Sequence, residues 1–178
     1  MRKIAIVAVL LLVATTASAQ TPKLGVGAFG GLSIPLAQDD QASGKVFGFR
    51  GRLSLAGSLA VEAQIGFAKW GEADPPEGLT TMPDGSKVTQ FGVNGILGGG
   101  AGPGFKPMFI AGFGSYKIKN DDTGYDESRM GYNGGLGFGI GLGPKFGLDV
   151  RAEAIVIPLD GGGSKKAVNG TAGLMLFF

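Results

Sequence analysis

Histidine and cysteine are both absent from the 178 residues, and tryptophan occurs once. Without cysteine, no disulfide can hold the fold together in an oxidising compartment. Without histidine or cysteine, a serine nucleophile would need a lysine or carboxylate partner, and no serine stands in a recognisable nucleophile setting. No catalytic residue, metal ligand or cofactor site is therefore expected, and Ser54 reads as a hydrogen-bonded filler. A net charge of one sign is missing as well. Removing Arg2 and Lys3 with the leader leaves 14 basic against 14 acidic residues, which is no footprint for nucleic acid. Beyond the N-terminus, no stretch approaches the roughly 18 consecutive apolar residues of a transmembrane helix.

The N-terminal apolar run, Ile4 to Ala14, is flanked by Arg2 and Lys3 before it and by the small residues of "TTASAQ" after it. That layout predicts a secretory signal over 1–19, cleaved after Ala17-Ser18-Ala19, and a single mature domain over 20–178. Glycine is abundant, at 35 residues against a norm of roughly 7%. It follows no G-X-Y period, so collagen is excluded. The glycines sit among Phe, Leu, Ile and Val, which a disordered chain would not carry.

Those apolar residues alternate with a period of two, the signature of strands. In "KFGLDVRAEAIV", Phe146, Leu148, Val150, Ala152, Ala154 and Val156 oppose Asp149, Arg151 and Glu153. In "AVNGTAGLMLFF", Val168, Gly170, Ala172, Leu174, Leu176 and Phe178 oppose Asn169, Thr171, Gly173, Met175 and Phe177. Further back, Phe47, Phe49, Leu53 and Leu55 oppose Arg50, Arg52 and Ser54, while Leu59, Val61, Ala63, Ile65 and Phe67 oppose Glu62 and Gln64. Phe91, Val93 and Leu97 oppose Gln90 and Asn94, with Ile96 intruding on the polar side. Tyr132, Leu136, Phe138, Ile140 and Leu142 oppose Asn133 and a row of glycines. Both faces of "FKPMFIAGFGSYKI" are apolar, which leaves its register open and puts Pro107 near a strand end. With a first strand from about Lys23 to Leu36, eight strands are predicted.

The links between them alternate in length: short at 56–58, 99–104 and 143–145, long at about 37–45, 71–87, 118–129 and 158–166. An even number of strands of about 10 residues, with tight turns at one end and long loops at the other, is the layout of a transmembrane β-barrel. The charges agree. Eleven of the 14 acidic residues (Asp39, Asp40, Glu72, Asp74, Glu77, Asp84, Asp121, Asp122, Asp126, Glu127, Asp160) fall in the long links. The remaining Glu62, Asp149 and Glu153 share polar strand faces with Arg50, Arg52 and Arg151, and hydrocarbon would penalise all six, so they are placed in the lumen. Gly25, Gly27 and Gly30 match G-x-G-x-x-G, but no strand precedes them and no helix follows, so the match is not a dinucleotide site. The first strand instead points Leu24, Val26, Ala28, Leu32 and Ile34 at lipid and Gly25, Gly27 and Gly31 inward.

The chain resembles the small eight-stranded outer-membrane β-barrel family of Gram-negative bacteria, the OmpA-like and OmpX-like barrels, over nearly all of its mature length. The most specific likeness is at the end, where Thr171, Gly173, Leu176 and Phe178 resemble the C-terminal signal read by the barrel-assembly machinery. "KPMFIAGFGSYKI" is similar to that family's fifth strand. A C-terminal periplasmic domain is not expected, so the resemblance does not imply the peptidoglycan anchoring of longer relatives.

Eight strands enclose an interior that side chains can fill. The predicted lumen network comprises Arg50, Arg52, Glu62, Gln64, Asn94, Asp149, Arg151 and Glu153. A salt-bridged plug with a structural or surface-interaction role is the first expectation. The alternative is a narrow porin-like channel for small solutes or hydrophobic compounds, gated by the arginines past Gly135, Gly137, Gly139 and Gly141. A soluble ligand-binding barrel is a third reading, disfavoured because its polar face would have to lie outside. Expected partners are outer-membrane lipid and lipopolysaccharide, the assembly machinery, and an unidentified loop partner. Lys117, Lys119 and Arg129 are candidate phosphate contacts; divalent ions bridging the "NDDTGYDES" loop to those phosphates are an alternative, though its spacing is not that of a calcium loop. Lys69 and Trp70 are expected at the outer interface.

Overall fold

Alternation places successive side chains on opposite faces of each strand, and with one face apolar throughout the sheet can close on itself. A computed structural model describes residues 23–36, 41–56, 58–72, 85–99, 104–121 and 124–178. The expected signal 1–19, the start at Gln20 and the acids Asp39, Asp40, Asp74, Glu77, Asp84 and Asp122 lie outside these residues. The strands are β1 (Lys23–Leu36), β2 (Gln41–Ala56), β3 (Leu59–Glu72), β4 (Lys87–Gly98), β5 (Gly104–Asn120), β6 (Tyr125–Gly141), β7 (Phe146–Pro158) and β8 (Ser164–Phe177). They form a closed barrel in sequence order, every neighbour antiparallel, with β1 paired to both β2 and β8. Closure removes every sheet edge.

The outer wall is apolar. Leu24, Val26, Leu32, Phe47, Phe49, Phe91, Phe109, Phe113, Leu136 and Leu174 are all exposed on it, a band far beyond what a soluble monomer shows. The polar faces turn inward: Arg50, Arg52, Glu62, Asn94, Asp149, Arg151 and Glu153 are buried. The open register of the fifth strand resolves with Met108, Ile110, Tyr116 and Ile118 buried and Phe105, Phe109 and Phe113 outward.

Four loop expectations are corrected: β2 begins at Gln41, inside the expected link 37–45, Glu72 ends β3 rather than lying in a link, and two further links shorten. The segment 118–129 is mostly strand: β5 runs to Asn120, β6 starts at Tyr125, and Ile118↔Glu127, Lys119↔Asp126 and Asn120↔Tyr125 continue the ladder. Opposite charges on the two strands permit this, with Lys117 Nζ 3.0 Å from Asp126 Oδ1. Asp126 and Glu127 are thus strand residues. The β7–β8 link also shortens, to 159–163, where Gly161, Gly162 and Gly163 all take positive φ (86°, 102° and 85°), a conformation that side-chain-bearing residues resist.

Candidate functional site

Strand register fixes the lumen charges. Arg52 stands opposite Glu62, and Arg50 opposite Gln64. Across the lumen, β7 projects Asp149, Arg151 and Glu153 from alternate positions. Glu62 is the hub. Its Oε2 accepts from Arg52 Nε at 2.9 Å and Nη2 at 2.8 Å, and from Arg151 Nη2 at 2.8 Å, while its Oε1 accepts from Arg151 Nη1 at 2.7 Å. Arg151 also donates to Asp149 at 2.7 Å and to Glu153 at 3.4 Å, and Arg52 pairs with Asp149. Arg50 lies 3.8 Å from Glu62, donates to Thr171 Oγ1 at 3.0 Å, and places its guanidinium 3.9 Å from the centroid of the Phe29 ring. Three arginines therefore face three carboxylates, a neutral buried set that satisfies the requirement that charges out of water be paired.

The other two residues predicted in this network are buried but stand apart from the ion pairs. Asn94 accepts from Asn133 Nδ2 at 3.0 Å, and the Gln64 Oε1 has no hydrogen-bond partner. Ser54 is corrected: its buried Oγ makes no hydrogen bond. The row of inward glycines on β6 faces the charges of β7. A Cβ on Gly135 would lie 3.0 Å from Glu153 Cγ, one on Gly137 3.0 Å from Arg151 Cγ, and one on Gly139 3.4 Å from Asp149 Oδ1. The space these glycines leave is filled by side chains of the neighbouring strand.

Two apolar tiers flank the charges. Towards the long-link end, Trp70, Val88, Tyr116, Ile118, Ile155, Ile157 and Ala167 cluster inside the barrel. Towards the short-turn end, Ala60, Ile96, Met108 and Ile110 do the same, which accounts for Ile96 on an otherwise polar face. Trp70 corrects the interface expectation. It is 2% exposed and its Nε1 donates to Ser33 Oγ at 2.8 Å. Lys69 and Trp70 are consecutive strand residues and must point to opposite faces; Lys69 is the exposed one. As the chain's single tryptophan, Trp70 gives a direct check. Brominated acyl chains are expected to quench its fluorescence far less than that of a Trp70→Phe, Phe67→Trp variant, whose indole faces lipid. Equal quenching of the two would place Trp70 outside.

Sequence reasoning also missed Phe29, which interrupts the inward glycines of β1. A Cβ on Gly173 would fall 2.9 Å from Phe29 Cβ, and one on Gly48 2.6 Å from Phe29 Cζ, so glycines on β8 and β2 make room for this ring. The C-terminal residues divide by face: Thr171 and Gly173 are buried inside, while Leu176 is half-buried and Phe178 exposed. The chain end is tied on both sides, Phe177 N–H donating to Lys145 O at 2.7 Å and Phe178 N–H to Leu24 O at 2.8 Å.

Outside the barrel, Lys119 and Lys87 donate to Asp121 at 2.7 Å and 2.6 Å. These bonds, that from Lys119 first, hold the Asp121 carboxyl down at about 2. Arg129 pairs with Glu127 at 2.6 Å and with Asp160. Among the described residues, no group of three or more acidic side chains is arranged to hold a metal ion.

The sequence model of a family described as "Outer membrane protein beta-barrel domain" matches residues 5–175. No curated protein matches the chain. Among solved structures, Neisserial surface protein A (NspA) is similar at 15% identity and TM-score 0.62, covering 88% of this chain and 97% of that one. OprG from Pseudomonas aeruginosa is similar at 13% identity and TM-score 0.60, covering 91% and 98%. The N-terminal β-barrel domain of Pseudomonas aeruginosa OprF is similar at 16% identity and TM-score 0.56, covering 88% and 97%. At these identities the likeness is one of fold.

Proposed function

The chain belongs to the outer membrane protein beta-barrel domain family and resides in the cell outer membrane, and from that premise we propose that it is a sealed barrel with a structural and surface-presenting role and no catalytic step. The observation that carries this reading is the three-tier interior: an apolar tier capped by Trp70, a neutral set of six charges, and a second apolar tier around Ile96 and Met108. Water crossing the lumen would have to pass two apolar layers and separate ion pairs held at hydrogen-bonding distance. What remains for function is the end carrying the long links, presented to the outside.

The C-terminal strand serves assembly. Leu176 and Phe178 form its outward signal for the assembly machinery. Thr171 and Gly173, the other two positions of that signal, also serve the lumen by receiving Arg50 and admitting Phe29.

A narrow channel is the second reading, and one observation favours it. Arg50 Nε and Nη1, Arg52 Nη1, Ser54 Oγ and Gln64 Oε1 are buried polar atoms without a hydrogen-bond partner among the described residues, and such atoms are commonly bridged by water. Single-channel recording of the refolded protein in a planar bilayer decides between the two. The wild type is expected to be silent, and so is the Arg50→Ala, Arg52→Ala double variant, whose two apolar tiers are untouched, insertion being confirmed for both by heat-modifiable gel mobility. Openings in the wild type would overturn the sealed barrel in favour of the channel.

A further inference from the structure

Four lysines stand side by side on the outer wall. Lys45 of β2 is the cross-strand partner of Lys69 of β3, Lys69 of Lys87 on β4, and Lys87 of Lys119 on β5. All four are exposed and lie at the long-link end of their strands. Like charges directly opposite one another destabilise a sheet, and here three such pairs occur in succession. Asp121 offsets part of this by binding Lys87 and Lys119. Among the described residues, no carboxylate pairs with Lys45 or Lys69. The row ends on both sides: its next position on β6 is Asp126, and the β1 partner of Lys45 is Leu32.

Directly below the row the wall is apolar. Phe47 and Phe67 are cross-strand partners with ring centroids 5.4 Å apart. Beneath them Phe49, Ile65 and Phe91 border an open groove floored by Gly51 and Ala63 and edged by Val26. A Cβ on Gly51 would meet nothing within 4 Å. Cations at headgroup level above an apolar groove complement an amphiphile with an anionic head. Four lysines on adjacent strands span three inter-strand spacings, about 14 Å, too wide for one phosphate and suited to a head bearing more than one.

We propose that the β2–β5 face is a binding site for the multiply phosphorylated, multiply acylated lipid of the outer leaflet, the lipid A portion of lipopolysaccharide. Lys45, Lys69, Lys87 and Lys119 take its phosphates, and the groove below Phe47 and Phe67 takes its chains. The site depends on the barrel's outer-membrane placement and is independent of whether the lumen conducts.

The test is a titration of the refolded protein in nanodiscs with bisphosphorylated lipid A, with the same acylated sugar lacking phosphate, and with inorganic pyrophosphate. Wild-type protein is expected to prefer the bisphosphorylated lipid by about tenfold or more. A K45Q/K69Q/K87Q/K119Q variant should lose that preference, and K23Q/K145Q, at the opposite end of the barrel, should keep it. Heat-modifiable mobility and flotation with vesicles establish folding and insertion separately, so failure of the site is distinguishable from failure of membrane placement. If the quadruple variant does not fold, K45Q/K69Q should show a partial loss. The absence of any phosphate preference, its survival in the lysine variants, or displacement of the lipid by equimolar pyrophosphate would each overturn the proposal.

Discussion

Replacing Glu62 by glutamine is expected to destabilise the barrel by about 3–5 kcal/mol, the cost of leaving a buried charge unpaired. The side chain keeps its volume, so no cavity term enters. The change is electrostatic: three arginines would face only Asp149 and Glu153, and Arg151 and Arg52 would each lose one of the two acceptors they share, keeping Asp149. Glu62 reaches all three arginines, whereas Asp149 pairs with Arg52 and Arg151 and Glu153 with Arg151 alone, at 3.4 Å. Glu153→Gln is therefore expected to cost clearly less than Glu62→Gln. Urea unfolding in lipid, followed by Trp70 fluorescence and gel mobility, supplies both midpoints. Restoring neutrality in the double variant Glu62→Gln, Arg52→Gln should recover part of the loss, because an uncompensated charge is costlier than a missing pair. A Glu62→Gln protein that unfolds at the wild-type midpoint would mean that water already screens the lumen, and that result would also weaken the sealed-barrel reading.

The wall of this barrel was legible from the chain because membrane strands expose one chemistry and hide the other. Asp149, Arg151 and Glu153 against Leu148, Val150 and Ala152 admit a single assignment of faces once a membrane surrounds them, and a one-residue slip would turn every charge into lipid. Legibility failed where both faces are apolar. Ile155 and Ile157 continue the inward series of β7 past Glu153, and only counting in twos from the charges, not their own chemistry, distinguishes them from wall residues such as Val156. Trp70 was misplaced for a related reason: aromatic residues are common at membrane interfaces, and composition took precedence over the alternation that Lys69 already fixed. Phe29 was hidden because its place depends on Gly48 and Gly173, on strands distant in sequence. The lysine row needed the register. Lys45, Lys69, Lys87 and Lys119 show no pattern along the chain, and only pairing across β2 to β5 aligns them.

The seam where β8 meets β1 is where the smallest substitution should have its largest effect. Gly31 faces inward opposite Thr171. A Cβ added there would fall well inside contact distance of the Gly170 carbonyl oxygen and 2.8 Å from Thr171 Cα. Gly27 is similarly close to the Leu174 carbonyl, and a Cβ on Gly173 would lie 2.8 Å from Ala28 O. The atoms met are backbone, so no rotamer change can yield; the strands themselves would have to part. Overpacking of this kind costs about 1–3 kcal/mol where side chains can adjust, and Gly31→Val is expected at or above the top of that range. The β1–β8 pairing joins the two ends of the domain, the longest loop closure in the fold, so the same change should slow closure as well as weaken it. Gly170 is an internal control: it lies one residue from Thr171 on the outer face, with nothing within 4 Å of an added Cβ. Gly170→Ala is expected to fold with wild-type yield and stability, within about 0.5 kcal/mol. Gly31→Val should instead leave most of the protein in the unfolded, slower-migrating or faster-degraded form after refolding into lipid. Equal folding yields and rates for the two variants would mean that the seam tolerates a side chain, and that strand approach at β1–β8 is set by something other than these glycines.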